Sequence, residues 1–268
     1  MAAIDTVAAG VNTAGASFAT ATPAAGDSLA VRNFPDAASA WLFGVRSQHV
    51  TSAQPFRIRS PLLHDNVQGL RFYPQETTSP GELDEATPQR LYPQDVLTVE
   101  ASTAPATGVA EIVLATYYES LPGASARLYA PGDVDGLIRA IKPVLVTLTA
   151  ASLTFNAWAG AALDSVEALL HANTDYAVLG YTTDQPLAAV AVRGIDTANL
   201  RVSGPGTTRH DLTRSYFRRL SYVTGLPCIP VINSANVGAT FVDAIAAAAP
   251  GANPSVVLIL GELAQRLG

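Results

Sequence analysis

Short apolar runs punctuated by proline and glycine dominate the pattern along the chain. Residues 56–59 alternate apolar and basic side chains, which predicts a half-buried strand. Residues 111–118 are almost wholly apolar and rich in β-forming residues, which predicts a strand covered on both faces. Further strands are expected at 28–34, 40–46, 70–73, 95–101, 126–129, 144–149, 199–202, 228–232, 240–245 and 256–260. About seven short strands in each half favour an antiparallel β-sandwich or jelly-roll over a parallel βαβ fold.

Two segments have helical spacing instead. A short linker helix is predicted over 133–142, where Asp133 can cap the first turn and Pro143 follows. An amphipathic helix is predicted near 211–223, with Gly225 placed to end it. The sequence thus predicts a mainly β protein with a few short helices, built as two successive β-sandwiches over 27–132 and 143–268.

Two local predictions complete the organisation. Residues 1–26 carry a single charge, Asp5, and show no sustained period, so we expect an extended N-terminal arm laid along a neighbouring subunit. The apolar runs 176–181 and 187–193 are separated by a five-residue turn, which predicts a β-hairpin.

Charged residues are scarce for a chain of this length. They make up 14% of the 268 residues, against roughly 25% in an average soluble domain. Interface cores are depleted of charge, so we infer a large contact surface with copies of the same chain. A genome rich in G and C explains why 15 of the 16 cations are arginine, but not why total charge is low.

The sequence predicts no membrane span and no cleaved export signal. The first cation is Arg32, whereas a signal peptide begins with basic residues. The longest uncharged run, 143–163, contains threonine, serine, asparagine and glycine, and its first half alternates instead of remaining apolar.

Candidate catalytic groups are isolated. The chain has no Gly-x-Ser-x-Gly elbow, no phosphate-binding glycine loop and no dinucleotide-binding fingerprint. His171, Asn173 and Asp175 would share a face if they lay on a strand, but no second cluster accompanies them. Cys228 lies in an apolar segment that favours a buried structural thiol. We therefore expect no enzyme activity, no cofactor and no metal.

One basic cluster and one acidic segment stand out as candidate subunit contacts. Four arginines lie in or beside the predicted amphipathic helix, and the proline-rich segment 74–93 is acidic. The residues are Arg209, Arg214, Arg218 and Arg219 in the first group and Glu82, Asp84 and Glu85 in the second. Complementary charge could fix the register between subunits. With a net charge of -6, nucleic-acid contact is expected to be weak or indirect.

Two strand-rich halves joined by a short helix resemble the jelly-roll capsid proteins of icosahedral viruses, the double jelly-roll type most closely. The stretches that carry the resemblance are 111–120 (EIVLATYYES), 176–181 with 187–193, and 256–260. The resemblance implies a virion structural protein, such as a bacteriophage shell subunit, that forms trimers or larger homo-oligomers. It also implies assembly in the host cytoplasm and contact with other virion proteins.

Two other functions are compatible with the sequence. A ligand- or carbohydrate-binding β-sandwich could stack a sugar on Tyr73, Tyr92, Trp41 or Trp158. An unrecognised hydrolase could use His210 or His171.

Overall fold

The computed structural model of the chain describes residues 2–13, 15–50, 55–62, 66–72, 89–103, 108–163 and 170–267. Four antiparallel sheets and a few short helices make up these residues. The predicted fold class, a mainly β antiparallel sandwich with few helices, is confirmed. None of the helices in the described ranges is both long and apolar enough to cross a membrane.

The first half of the chain supplies two sheets, with strand orders β3-β1-β9-β4-β7 and β2-β8-β5-β6. The strands are β1 (Ala3–Asn12), β2 (Gly15–Thr20), β3 (Thr22–Pro23), β4 (Ala40–His49), β5 (Phe56–Arg59), β6 (Leu70–Phe72), β7 (Gln89–Leu91), β8 (Thr98–Thr103) and β9 (Val109–Tyr118).

The second half supplies two more sheets, with orders β10-β16-β13-β18-β11 and β12-β17-β14-β15. The strands are β10 (Leu128–Tyr129), β11 (Ile138–Thr147), β12 (Ala159–Ala162), β13 (Asp175–Thr183), β14 (Ala189–Arg193), β15 (Val202–Pro205), β16 (Ile229–Asn233), β17 (Phe241–Ile245) and β18 (Ser255–Leu263). The helices are α1 (Pro131–Val134), α2 (His210–Thr213) and α3 (Tyr216–Thr224), with 3₁₀ turns at Asp135–Leu137, Ala150–Ser152, Ile195–Thr197 and Ser234–Ala239.

The two halves meet through one sheet from each. Side chains alternate along a strand, so each of these inner sheets has one face in its own half and one face toward the other half. On β9, Ile112 and Leu114 belong to the largest core cluster, whereas Val113 packs with Ala188 and Ile245 of the second half. The four sheets therefore stack as layers, and we call the contact between the two inner sheets the seam.

The prediction of an N-terminal arm laid along a neighbouring subunit is wrong. Residues 3–12 form β1, which pairs with β9 over its whole length inside a sheet of the same chain. Its side chains are buried on both faces, so no polar alternation marks the strand. The alanine and glycine residues of β1 weaken the periodic signal in the sequence. Their small side chains also allow the sheet of the second half to pack closely against this strand.

The predicted linker helix is mostly a strand. Only α1 and the turn Asp135–Leu137 are helical, and β11 then begins at Ile138. The same apolar residues that suggested a helical face serve a strand, since a run this short fits both periods. The amphipathic helix is present as α2 and α3, and Gly225 ends α3 with a φ of 70°.

The predicted hairpin is wrong. The first of its strands, β13, pairs with β16 and β18, while the second, β14, pairs with β15 and β17. The intervening turn carries the chain from the outer sheet to the inner sheet of the second half. Both strands are flanked by neighbours on two sides, so each is buried and their apolar runs alone do not reveal the partner strand.

Candidate functional site

Small side chains let the inner sheets approach closely at the seam. On β1, Thr6 and Ala8 face the second half, and the Oγ atoms of Thr6 and Ser203 lie 2.9 Å apart. A Cβ atom at Gly10 would collide with the ring of Phe155. Polar groups in this tight contact lose access to water and must find partners within the protein.

Arg46 on β4 is among the largest fully buried side chains and is 1% exposed. Its Nη1 donates to Ser203 Oγ at 2.6 Å, and its Nη2 donates to the Ser203 carbonyl at 3.2 Å and to the Tyr216 hydroxyl at 3.0 Å. No carboxylate among the described residues pairs with this guanidinium. Neutral oxygens, with the Tyr216 ring 5.8 Å from the guanidinium carbon, therefore hold a desolvated cation that links β4 to β15 and α3.

Glu111 on β9 is also fully buried at the seam. Its Oε2 accepts a hydrogen bond of 3.1 Å from the Asn156 backbone N–H. Burial, reinforced by the nearby Asp27 carboxylate, raises the pKa of Glu111 to about 8. The carboxyl group is therefore mainly protonated at neutral pH.

Asp27 is the main acceptor between the halves. Its Oδ2 accepts from the Ala8 N–H and from Trp158 Nε1–H, both at 2.8 Å, and its Oδ1 accepts from Arg201 Nη1 at 2.8 Å. Arg201 also donates from Nε to Asp243 Oδ2 at 3.1 Å, and its guanidinium lies 4.7 Å from the centre of the Trp158 ring. Burial raises the pKa of Asp27 despite these donors.

A cleft of about 620 Å³ opens beside this network, between residues of the two halves. Arg32, Arg193 and Arg201 line it together with Asp5 and Asp27. All three guanidinium groups are already paired, Arg32 with Asp5 and the other two with Asp243 or Asp27. The wall itself holds three arginines and two aspartates, and Asp243 behind it supplies the third carboxylate, so each guanidinium group has a partner within the protein. We interpret the cleft as the open end of the seam.

A second candidate site lies on the outer sheet of the second half. Its edge strand β11 has ten residues, whereas the other edge strands that the structure describes have two to six. Ile141 and Leu145 on β11 are 51% and 55% exposed, and Leu145 lies opposite the half-buried Val257 of β18. We call Ile141, Pro143, Leu145 and Val257 the edge strip. A contiguous exposed apolar patch marks a surface that packs against another chain. Pro143 has no backbone N–H to donate, so the strip offers apolar side chains for burial and not a continuous hydrogen-bonded edge.

Charged residues are confined to one end of the edge strand. The buried carboxylate of Glu262 pairs there with Arg139, with Lys142 at 3.9 Å and with His171 Nδ1 at 2.8 Å. Burial alone would raise the pKa of Glu262, but hydrogen bonds from His171 and Arg139 lower it below the usual value. The second half of β11 carries no charge, so Pro143 and Leu145 lie beyond the charged residues, whereas Ile141 lies between Arg139 and Lys142.

The four predicted arginines lie together around α2 and α3. Arg209 pairs with Asp211 at 3.1 Å, and Arg218 pairs with Asp135 at 2.8 Å. Arg214 is exposed and Arg219 is half-buried, and neither pairs with a carboxylate that the structure describes.

The predicted acidic contact residues Glu82, Asp84 and Glu85 lie outside the described residues, as do Tyr73 and His64. The arrangement of the acidic segment relative to the arginines therefore stays a prediction.

The isolated polar residues have local partners. His171 contacts Glu262, Asn173 accepts from Arg266, and Asp175 pairs with Arg127 at 2.5 Å. They do not converge on one strand face, because β13 begins only at Asp175. Among the described residues no group of three potential metal ligands occurs. Cys228 is buried.

Comparison with known proteins gives no family. No family model and no curated protein matches the chain. Among solved structures, the PBSX exported protein XepA is similar to 97% of this chain and 86% of its own, at 11% identity and a TM-score of 0.20. A TM-score this low carries no argument about fold or function.

Sequence reasoning missed the seam residues Asp27, Arg46, Glu111 and Arg201. Glu111 interrupts the apolar run of β9 and Arg46 ends the apolar run of β4, and a charge within or directly beside a buried run was the available signal. Nothing in the sequence identifies their partners, which come from 19 to 174 positions away.

Proposed function

We propose that the chain is a structural subunit of a virion shell and acts by self-assembly. The edge strip is the observation that carries this proposal, because its exposed apolar side chains gain most by burial against another chain. A second copy is the partner that the low charge of the whole chain favours. In this proposal the assembly is a trimer or a larger shell that forms in the host cytoplasm, together with other virion proteins.

The distribution of charge supports the proposal. Ten of the sixteen cations pair with carboxylates of the same chain. Another, Arg46, is buried at the seam. Few cations therefore remain on the described surface to repel a neighbour or to bind a nucleic acid directly.

A carbohydrate-binding function has less support. The ring of Trp158, which could stack a sugar, already contacts the guanidinium of Arg201. Tyr92 is 42% exposed, but Trp41 is half-buried on β4. A hydrolase also has less support, since His210 is exposed and its Nε2 contacts the Thr183 carbonyl at 3.1 Å instead of a nucleophile.

The test is the mass of a double variant, Ile141→Lys with Leu145→Lys, measured by sedimentation at micromolar concentration. Both side chains are more than half exposed, so the fold should persist while burial of the strip against a copy becomes unfavourable. We expect oligomers of the wild type and a single subunit for the variant. The control is Leu62→Lys with Val67→Lys, which changes exposed apolar residues of the first half and should assemble like the wild type. A strip variant that assembles normally contradicts the proposal.

A further inference from the structure

The outward face of α3 has the composition of an interface rather than of a solvated helix. Tyr222 and Val223 are 62% and 52% exposed, beside the guanidinium groups of Arg218 and Arg219. The Arg218 guanidinium lies 5.7 Å from the centre of the Tyr222 ring. Tyrosine and arginine are the residues most enriched where proteins bind one another. We call Arg218, Arg219, Tyr222 and Val223 of α3, together with Arg214 just before the helix, the arginine face.

Charge on this face is only partly compensated. Asp135 accepts from Arg218 and from the Tyr222 hydroxyl, which fixes both side chains in place. Arg214 and Arg219 have no such carboxylate among the described residues. No described carboxylate offsets the charge of these two arginines, so an anionic group that binds them gains electrostatic free energy.

The chain itself contains a matching anionic segment. Residues 73–88 hold Glu76, Glu82, Asp84 and Glu85 and no cation, so the segment has a net charge of -4. The whole chain has a net charge of -6, so the residues outside the segment have a net charge of only -2. In the sequence, this segment is the densest run of negative charge without an intervening cation.

We infer that the arginine face of one subunit binds the acidic segment 73–88 of a second copy. This inference rests on the proposed function, since it requires subunits that assemble. The contact is heterologous, joining two different surfaces, whereas the edge strip can join like to like. A heterologous contact lets subunits continue into a ring or shell instead of stopping at a dimer.

The test is a charge exchange in the full-length chain. Arg214→Glu with Arg219→Glu places two carboxylates opposite the acidic segment, and Glu82→Arg with Glu85→Arg places two arginines opposite the arginine face. Each double variant should raise the concentration needed for assembly at least tenfold in low salt, and the quadruple variant should restore assembly. High salt should weaken the wild type, because the contact is screened.

A matched control is Arg266→Glu, compared with the single variant Arg214→Glu. Both arginines are exposed and lack an ion pair with a described carboxylate, so the net charge changes equally without touching the arginine face or the residues that flank the acidic segment. This control should assemble like the wild type. Circular dichroism of every variant verifies that the fold is intact.

The outcomes separate the two proposals. If the wild type assembles and the arginine variant assembles equally well, or if the quadruple variant fails to recover, this inference is wrong and the shell proposal stands. If the wild type binds a DNA duplex and only the arginine variant loses that binding, the face recognises nucleic acid and the inference is also wrong. A wild type that stays a single subunit under all conditions overturns both.

Discussion

Buried ionisable side chains at the seam make the stability of the protein depend on pH. Glu111 has a pKa of about 8 in the folded protein because burial disfavours its charged form. Its ordinary pKa of 4.5 applies once the chain unfolds. The folded state thus retains a proton that the unfolded state has released, and this contribution to stability is lost as the pH rises through 8.

We predict that Glu111→Gln removes this dependence. The free energy of unfolding of the wild type, relative to the variant, should fall by about 1.4 kcal/mol per pH unit between pH 5 and 8 and level off above. Urea unfolding at several pH values measures it. A constant difference across that range would show that Glu111 is ionised in the folded state.

The effect of His49 on the pH dependence of stability has the opposite sign. The contribution of Glu111 is therefore measured as the difference between the wild type and Glu111→Gln, in which the effect of His49 cancels. Burial lowers the pKa of His49 to about 4. Stability from the neutral imidazole is therefore complete above pH 6.5 and is lost as the pH falls toward 4. Between about pH 4.5 and 6.5 the slopes of His49 and Glu111 nearly cancel, and above that Glu111 acts alone among these two.

Replacing Tyr216 tests whether the buried guanidinium of Arg46 depends on the Tyr216 hydroxyl as an acceptor. We predict that Tyr216→Phe lowers the free energy of unfolding by about 1–3 kcal/mol, because the buried guanidinium loses one of its few acceptors. Tyr222→Phe removes an exposed hydroxyl and should change it by less than about 0.5 kcal/mol. Equal effects of the two changes would mean that Arg46 does not depend on Tyr216.

At the scale of elements, the sequence predicts several strands, either from alternating side chains or from an apolar run. It does not predict which strands pair with one another. β5 follows from Phe56 and Ile58 alternating with arginines, and β9 from its apolar run. β1 has the same two-sided burial, but alanine and glycine leave no periodic signal. Which strands share a sheet depends on contacts distant in the sequence, so the hairpin prediction failed.

The candidate sites divide in the same way. The arginine cluster was visible because its members are close in sequence. The edge strip was not, since residues 138–142 fit a helical face as well as a strand, and only the sheet order places β11 at an edge. The seam network likewise depends on the stacking of sheets.

Replacing Asp27 tests how much its hydrogen bonds between the two inner sheets contribute to the stability of the protein. We predict that Asp27→Ala lowers the free energy of unfolding by about 3–5 kcal/mol, since three donors lose their acceptor. The control Asp36→Ala alters an exposed carboxylate and should have an effect below about 0.5 kcal/mol. Unfolding can be followed by the fluorescence of Trp158 and Trp41. A small effect of Asp27→Ala would show that the apolar contacts suffice.

At the scale of the whole molecule, the chain is compact. Its accessible surface is 10626 Å², close to the ~11,000 Å² of a folded monomer of this mass. With β1 built into its own sheet, the first strand is not available for exchange with a neighbour. Assembly would therefore use surface patches such as the edge strip and the arginine face.

The central claim, that the chain works by joining copies of itself, is tested most directly by the mass of the purified wild type. Sedimentation velocity at micromolar concentration, in low and in physiological salt, should show a species several times 27.8 kDa, and electron microscopy of the same sample should show rings or closed particles. A single species of 27.8 kDa at every concentration and salt, with no particle in the images, would contradict the account.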